Sequence, residues 1–586
     1  MSGRYGLMGG VAILALAGCV AATPLWAQNS PLDNEKPTAP SQGGGQAGGG
    51  QAGGNQAAGA ANGPSASAGG PSARDFANAA QDQANWILPA KDYSGNRYVD
   101  LDAITPPNVG RMSPAWTFKV TDDGPMEVAP LVWHGTMYVT SAHDHVYALD
   151  AATGKLKWEF KDNPHVIAFA GNRGVGLLGD NVFLATLDGH VVALNAANGQ
   201  KVWDVVGVED TKNSFYTMAP VPYHNSATGQ DMLLLGVSNG DWGGRGYITA
   251  FDPKDGHILW KWYTVPGPGE PGHDTWAGDT WKRGGASVWS GVAIDPASQT
   301  LYADLGNPQP DFLGTSRPGA NLYSNSMVAL DISSDSGPKL KWYHQFIPHD
   351  THDWDPSMPP VLFQGKANGQ DESLVAAGDK GGNFWVLDAG DGHLVNQTAV
   401  SFQHGQDSEP TLAGNVACPN TNGGIEYNGG TYDPGTNTFF VPSVNECGFW
   451  KSTQQAMYIS GQFYLGGVFP TFVGPNTGDM NAINIDTGVF NWRQHYKLPA
   501  VGGALVTKSG VVFTGELSGK FDAYDAKTGD LLWQADTPNA IIAPPSAYQA
   551  DGKTFVVVAS GGAGNQKVPE LTNTSASATI SAFVAP

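Results

Sequence analysis

From about residue 81 onward, apolar positions fall in short alternating runs, with none of the three-to-four-residue spacing of an amphipathic helix. Asn181-Val-Phe-Leu-Ala-Thr186, then Leu-Asp-Gly189, then His190-Val-Val-Ala-Leu194 predicts strand, tight turn, strand. The full unit is a β-branched or aromatic strand, a turn with Asp or Asn and Gly, and a closing tryptophan. It runs Ala148-Leu-Asp-Ala-Ala-Thr-Gly-Lys-Leu-Lys-Trp158 and again Ala193-Leu-Asn-Ala-Ala-Asn-Gly-Gln-Lys-Val-Trp203. Further copies end at Trp260, Trp342, Trp492 and Trp533, a degenerate one runs from Val386 to Asn396, and the first closes at Trp116. Tight copies lie 45 residues apart (158 to 203) and 41 apart (492 to 533), the length of a four-stranded blade. Eight copies predict an all-β fold, an eight-bladed β-propeller of tryptophan-docking repeats; a solenoid is the alternative. The intervals of 82 residues (260 to 342) and 96 residues (396 to 492) must carry inserted loops, where sites are usually built.

The N-terminal part breaks this pattern. Residues 1–27 are expected to be an export signal: Arg4 supplies the positive end, and the apolar core from Leu7 to Ala17 is too short to span a bilayer. Leu16-Ala17-Gly18-Cys19 has the form of a lipobox, which would lipidate Cys19; Leu25-Trp26-Ala27 is the other candidate exit. Residues 28–80 are dominated by Gly, Ala, Gln and Asn and are expected to form a flexible linker, leaving 81–586 as the propeller. The implied location is the periplasm, with a membrane tether if Cys19 carries lipid.

Composition narrows the partners. Charged residues make up 14% of the 586 residues and the net charge is −22, which argues against nucleic acid and fits a small uncharged substrate and a basic redox partner. After the signal only Cys418 and Cys447 remain, an even pair best explained as a disulfide in an exported chain. No Cys-x-x-Cys-His occurs, so no haem c is attached, and electrons would have to leave to a separate cytochrome c or a membrane quinone.

Three stretches carry a resemblance: the docking repeats, the segment Trp86–Tyr98 with Asp92-Tyr-Ser-Gly-Asn-Arg-Tyr98, and Trp276-Ala-Gly-Asp-Thr-Trp281. Together they resemble the alcohol dehydrogenases that use pyrroloquinoline quinone (PQQ), over essentially residues 80–565. The resemblance implies a Ca²⁺ held by Asn307, in Leu305-Gly-Asn-Pro308, and by Asp241, where the methanol and ethanol enzymes usually have glutamate. Both offer the hard oxygen that Ca²⁺ requires. It places the catalytic base at Asp355, in His349-Asp-Thr-His-Asp-Trp-Asp355, with Asp353 as competitor. The base would take the alcohol proton while hydride leaves for the quinone, whose carbonyl the Ca²⁺ polarises. Lanthanide-using relatives carry a further Asp two positions past the base; here Ser357 stands there, which favours Ca²⁺.

The cofactor has three carboxylates, so its pocket needs cations and donors. Arg173 and Lys380 match the family's quinone contacts, Glu127, Thr217, Ser238, Ser287 and Asn428 its hydrogen-bonding positions, and Trp289 its aromatic floor. Cys418 and Cys447 match one disulfide of the family. The vicinal Cys-Cys pair that commonly covers the quinone is absent, and Phe169 or a neighbour is expected in its place. A polyol or sugar substrate is the nearest alternative to an alcohol. In a different class, outer-membrane assembly lipoproteins use a similar eight-bladed ring as a scaffold without cofactor, and Cys19 would suit them; the site residues in family order argue for an enzyme.

Overall fold

The alternating runs fold into eight separate antiparallel sheets. The structure, a computed structural model, describes residues 69–162, 164, 171–564, 566 and 577–586. Seven blades are made in sequence order by 131–160, 175–206, 221–263, 292–345, 361–399, 431–496 and 505–536. The eighth joins the two ends of the ring: three strands from 546–584 take their outermost partner from Ser113–Lys119, in antiparallel register from Ser113↔Val584 to Lys119↔Thr579. Trp116 therefore sits on the outer strand of a blade begun by the C-terminus. Each blade keeps short edges of its own, and this shared blade is what locks the two ends of the chain together.

The repeat signature has a three-dimensional reason. In each blade the outer strand shifts register by a bulge just before the tryptophan position, as between Ala148 and Leu149 opposite Trp158. That turns the indole against the next blade, where most of these N–H groups donate to a backbone carbonyl, as Trp158 to Ala196 (2.9 Å), Trp342 to Ala389 (3.2 Å) and Trp492 to Ala526 (2.9 Å); Trp260 Nε1 makes no such bond. In the degenerate copy Asn396 makes the same bond, donating to Ile485 O at 2.6 Å. The turn glycine is fixed twice over. Gly199 has φ 71°, and a Cβ there would meet the Trp158 ring at 2.5 Å.

The stretch Trp86–Val99 straps across one end of the ring. Trp86 exchanges backbone hydrogen bonds with Val132, Ile294 and Leu362 donate to Tyr93 O and Ser94 O, and Tyr98 pairs with Val506. The expected inserted loops are present: 264–291 precedes blade 4, 306–325 lies between its second and third strands, and blade 6 extends as a long hairpin, Thr438–Ser452 with Gly467–Asn484.

One boundary needs correction. Residues 69–80, assigned by composition to the linker, pack on the ring through a short helix, Ala73–Ala77. Phe76 is buried 5.8 Å from Tyr93, and Trp133 donates to Gly69 O. A single large apolar side chain in a small-residue stretch is enough to anchor it. The expected signal, Cys19 and the rest of the linker lie outside the described residues, as does Phe169.

Candidate active site

Two sets of loops face the same end of the ring. One residue or pair lies just ahead of the first strand of blades 1–6: Glu127, Arg173, Thr217, Ser287 with Trp289, Asp355, and Glu426. A second set lies two residues past the second strand of blades 3, 4 and 5: Ser238, Asn307 and Lys380. In an antiparallel blade these two loops are neighbours. The backbone pairs them, with Ser238 N–H donating to Phe215 O, Gly306 N–H to Ser287 O and Lys380 N–H to Asp355 O. Sequence offsets thus become one ring of side chains around a cavity of about 620 Å³.

On the floor, Lys380 Nζ lies 3.2 Å from Asp353 and 3.1 Å from Asp355. Asp355 also accepts from Trp289 Nε1 at 3.0 Å and from the Asn307 N–H at 2.5 Å. Three donors aimed at one carboxylate fix its orientation. Asp353 differs: burial, with the Asp355 and Asp241 charges added, drives its carboxyl well above the usual range despite Lys380. For Lys380, burial acts to lower the pKa, but the Asp353 and Asp355 carboxylates outweigh it and hold the ammonium well above its ordinary value. Asp353 has a positive φ, 57°, a strained conformation for a residue with a side chain and one concentrated at functional sites.

Along one wall Arg173 pairs with Glu127 at 2.9 Å and donates to Trp289 O at 3.2 Å. Its guanidinium lies 4.1 Å from the Tyr427 ring centroid and 4.9 Å from that of Trp289. Tyr427 donates its hydroxyl proton to Glu127 at 2.9 Å, and Thr217 Oγ1 lies 2.8 Å from Ser238 Oγ. The roof is aromatic. Phe463, Phe469, Pro470 and Phe472 come from the blade 6 hairpin and its loop, and Phe463 stacks 4.4 Å from Trp242. Tyr464 N–H donates to Asp241 O at 2.7 Å, tying that loop to the 238–246 turn.

Asn307 Oδ1 and Ser287 Oγ crowd Gly240, the residue before Asp241: a Cβ there would stand 3.4 Å from the first and 3.1 Å from the second, a tight fit. Burial first, then the Asp355 charge, pushes the Asp241 carboxyl up to about 6, with Lys380 acting against this. No donor among the described residues bonds that carboxylate, and buried Asn307 Nδ2 has no partner. A carboxylate and an amide oxygen without a resident donor fit a hard cation.

Asn428 must be corrected. Its amide donates to Val501 O at 2.6 Å and to Ile542 O, which ties blades 6, 7 and 8 behind the cavity. The same segment brings Glu426 and Tyr427 to the wall instead. Offset from the strand does not choose between them: Glu426 and Asn428 both precede Thr431 at distances that other site residues also show. The expected disulfide Cys418–Cys447 is present and braces the neighbouring Thr421 and Asn422 on the wall. His349 and His352 are structural. His349 Nδ1 bonds Gly319 O at 2.8 Å, and His352 stacks 4.2 Å from Trp354, with burial lowering its pKa to about 4.

Comparison with known proteins fits this geometry. The PQQ family described as glucose/ethanol/alcohol dehydrogenase, beta-propeller domain, matches residues 86–400 and 473–556. The chain belongs to that family. It is 32% identical to the quinoprotein alcohol dehydrogenase PedH of Pseudomonas putida over 518 residues, 80% of this chain and 85% of that protein. It is also 32% identical to subunit 1 of the methanol dehydrogenase [cytochrome c] of Methylobacterium organophilum, covering 81% of this chain and 83% of that one. A europium-containing methanol dehydrogenase superposes with TM-score 0.77 at 26% identity, over 87% of this chain and all of that one. As a PQQ-family enzyme, the protein is an oxidoreductase and not a cofactor-free scaffold.

Proposed function

We propose that this PQQ enzyme oxidises an alcohol to an aldehyde or ketone, with Ca²⁺ held by Asp241 and Asn307. The observation that carries the reading is the single bonded unit of Lys380, Asp355, Trp289 and Asn307 on the cavity floor, beside an oxygen donor set without a resident cation. Bound there, quinone and cation supply a two-electron oxidant and a Lewis acid.

The protein's own groups do the rest. Asp355 accepts the hydroxyl proton, and its three donors fix which lone pair faces the substrate. Lys380 holds that carboxylate in place and, with Arg173, offers positive charge to the cofactor's carboxylates. Trp289 gives a flat floor, while Thr217, Ser238 and Ser287 supply hydroxyls at the wall. The Phe463, Phe469 and Phe472 roof excludes water and suits an apolar substituent, which favours an alcohol over a sugar or polyol. Ser357 donates to Ile425 O at 2.6 Å and is fully buried, so it adds no acid to the cation site, which favours Ca²⁺ over a lanthanide.

Electrons then leave to a separate soluble cytochrome c or membrane quinone, and the enzyme works in the periplasm, tethered if Cys19 is lipidated. The test is reconstitution of apoprotein with PQQ and either Ca²⁺ or La³⁺, followed by dye-linked oxidation of alcohols, polyols and aldoses. Turnover of alcohols with Ca²⁺ is expected. Absence of PQQ retention and of turnover would refute the enzyme reading, and activity with La³⁺ alone would refute the metal. Cell fractionation of the parent and Cys19→Ser tests the tether.

A further inference from the structure

Both cations among the described residues lining the cavity are already engaged. Arg173 belongs to Glu127 and Lys380 is shared by Asp353 and Asp355, while Asp241 faces the cation site. Glu426 is the acid left over. It lines the cavity and is 8% exposed, and no ion pair or hydrogen-bond donor among the described residues engages its carboxylate. The charged groups around it are Lys380 from blade 5, Arg173 from blade 2, Glu127 from blade 1, and Asp355; Tyr427 adjoins it in sequence. Behind it on the blade 6 hairpin lies Glu446, itself buried with Oε1 unpartnered and Oε2 bonded by Asn420 at 3.0 Å. Burial raises Glu426 to about 7, with Lys380 and Arg173 acting against it and Glu127 and Asp355 with it.

Resting on the PQQ reading, we propose that Glu426 is a proton-linked contact for the cofactor: it binds the tricarboxylate in its protonated form, donating a hydrogen bond to a cofactor oxygen. Counting lining residues, two cations (Arg173, Lys380) face five acids (Glu127, Asp241, Asp353, Asp355, Glu426). A divalent ion at Asp241 offsets part of the excess. A further trianion cannot enter beside an ionised, unpaired Glu426 without strong repulsion, whereas a neutral carboxyl turns the same position into a donor. Asp353 is bonded to Lys380, whereas Glu426 has no partner among the described residues, so Glu426 is the group whose proton count changes on binding.

Linkage sets the sign. Above the free protein's Glu426 pKa, binding must take up one proton, so affinity falls by up to about tenfold per pH unit; below it, affinity is flat. The experiment titrates Ca²⁺-saturated apoprotein with PQQ by tryptophan quenching from about pH 5.5 to about pH 9, for the parent and Glu426→Gln. Proton uptake is read by calorimetry in two buffers of different ionisation enthalpy. Expected are a falling affinity above neutrality and uptake of about one proton near pH 8 in the parent, with a flat profile and tighter alkaline binding in the variant. A variant that keeps the parent's slope overturns the proposal, as does a parent that takes up no proton, a result that needs no variant to fold. PQQ binding to neither protein at any pH would instead overturn the cofactor reading on which the proposal rests.

Discussion

Asp355→Asn removes one charge at constant size, and the three donors around the carboxylate set its cost. Oδ1 accepts from the Asn307 N–H at 2.5 Å, while Oδ2 accepts from Trp289 Nε1 at 3.0 Å and Lys380 Nζ at 3.1 Å. An amide has one accepting and one donating end. In either orientation it turns N–H toward N–H on one side, leaving buried donors unpaired at about 1–3 kcal/mol. Loss of the proton acceptor adds about 10²–10⁴-fold in kcat. A fall in kcat of at least about 10³-fold is expected from the two together. Cofactor occupancy should hold, because Arg173, Glu127 and Thr217 are untouched. Asp353→Asn keeps an oxygen for Lys380 at constant size and leaves the three donors of Asp355 in place, so its kcat should fall by less than about tenfold. The assay is kcat of PQQ- and Ca²⁺-loaded protein in the dye-linked reaction, with PQQ stoichiometry by absorbance and Tm as a folding control. A parent-like Asp355→Asn beside an inactive Asp353→Asn would refute the assignment and move the base two residues upstream.

Other consequences are accessible to simpler measurements. Gly199→Ala should lower stability by about 3 kcal/mol in urea unfolding, since it adds positive-φ strain to a 2.5 Å clash with docked Trp158. Gly229→Ala, with φ 76° and open space around it, should cost only about 1 kcal/mol, and equal losses would discount the docking clash. Reducing Cys418–Cys447, which closes a separation of 29 residues, should cost about 3–4 kcal/mol, and an unchanged midpoint would show that the neighbouring hairpin suffices. Asp304 is fully buried with both carboxylate oxygens unpartnered, and burial, then the Asp379 charge, holds its pKa well above the usual range. A folded pKa raised in this way gives stability present at acid pH and lost as pH climbs toward the folded value. Asp304→Asn should therefore match the parent near about pH 5 and gain in Tm near about pH 8; parallel Tm–pH curves would contradict this.

Much of the site was legible through the resemblance to a known family, and the structure shows what the matching positions have in common. Glu127, Arg173, Thr217, Ser287 and Trp289 each precede a first strand, and Ser238, Asn307 and Lys380 each follow a second strand. Once blades are counted, those positions converge on one end of the axis. Asn428 was misplaced because two polar residues two positions apart cannot be told apart by type. The structure separates them by what their side chains reach, the backbone of blades 7 and 8 for Asn428 and the cavity for Glu426.

The sequence by itself determined the eight repeats, the turn glycines and docking tryptophans, the disulfide pair and most of the cavity's chemistry, because strand period and turn type are local properties of the chain. Only the tertiary structure decided that Trp116 completes a blade begun by the C-terminus, that Asp353 and Asp355 share one lysine, and that Glu426 has no cation of its own among the described residues. Those depend on distances between residues tens to hundreds of positions apart and on burial, which sets the protonation of a carboxyl once water is removed.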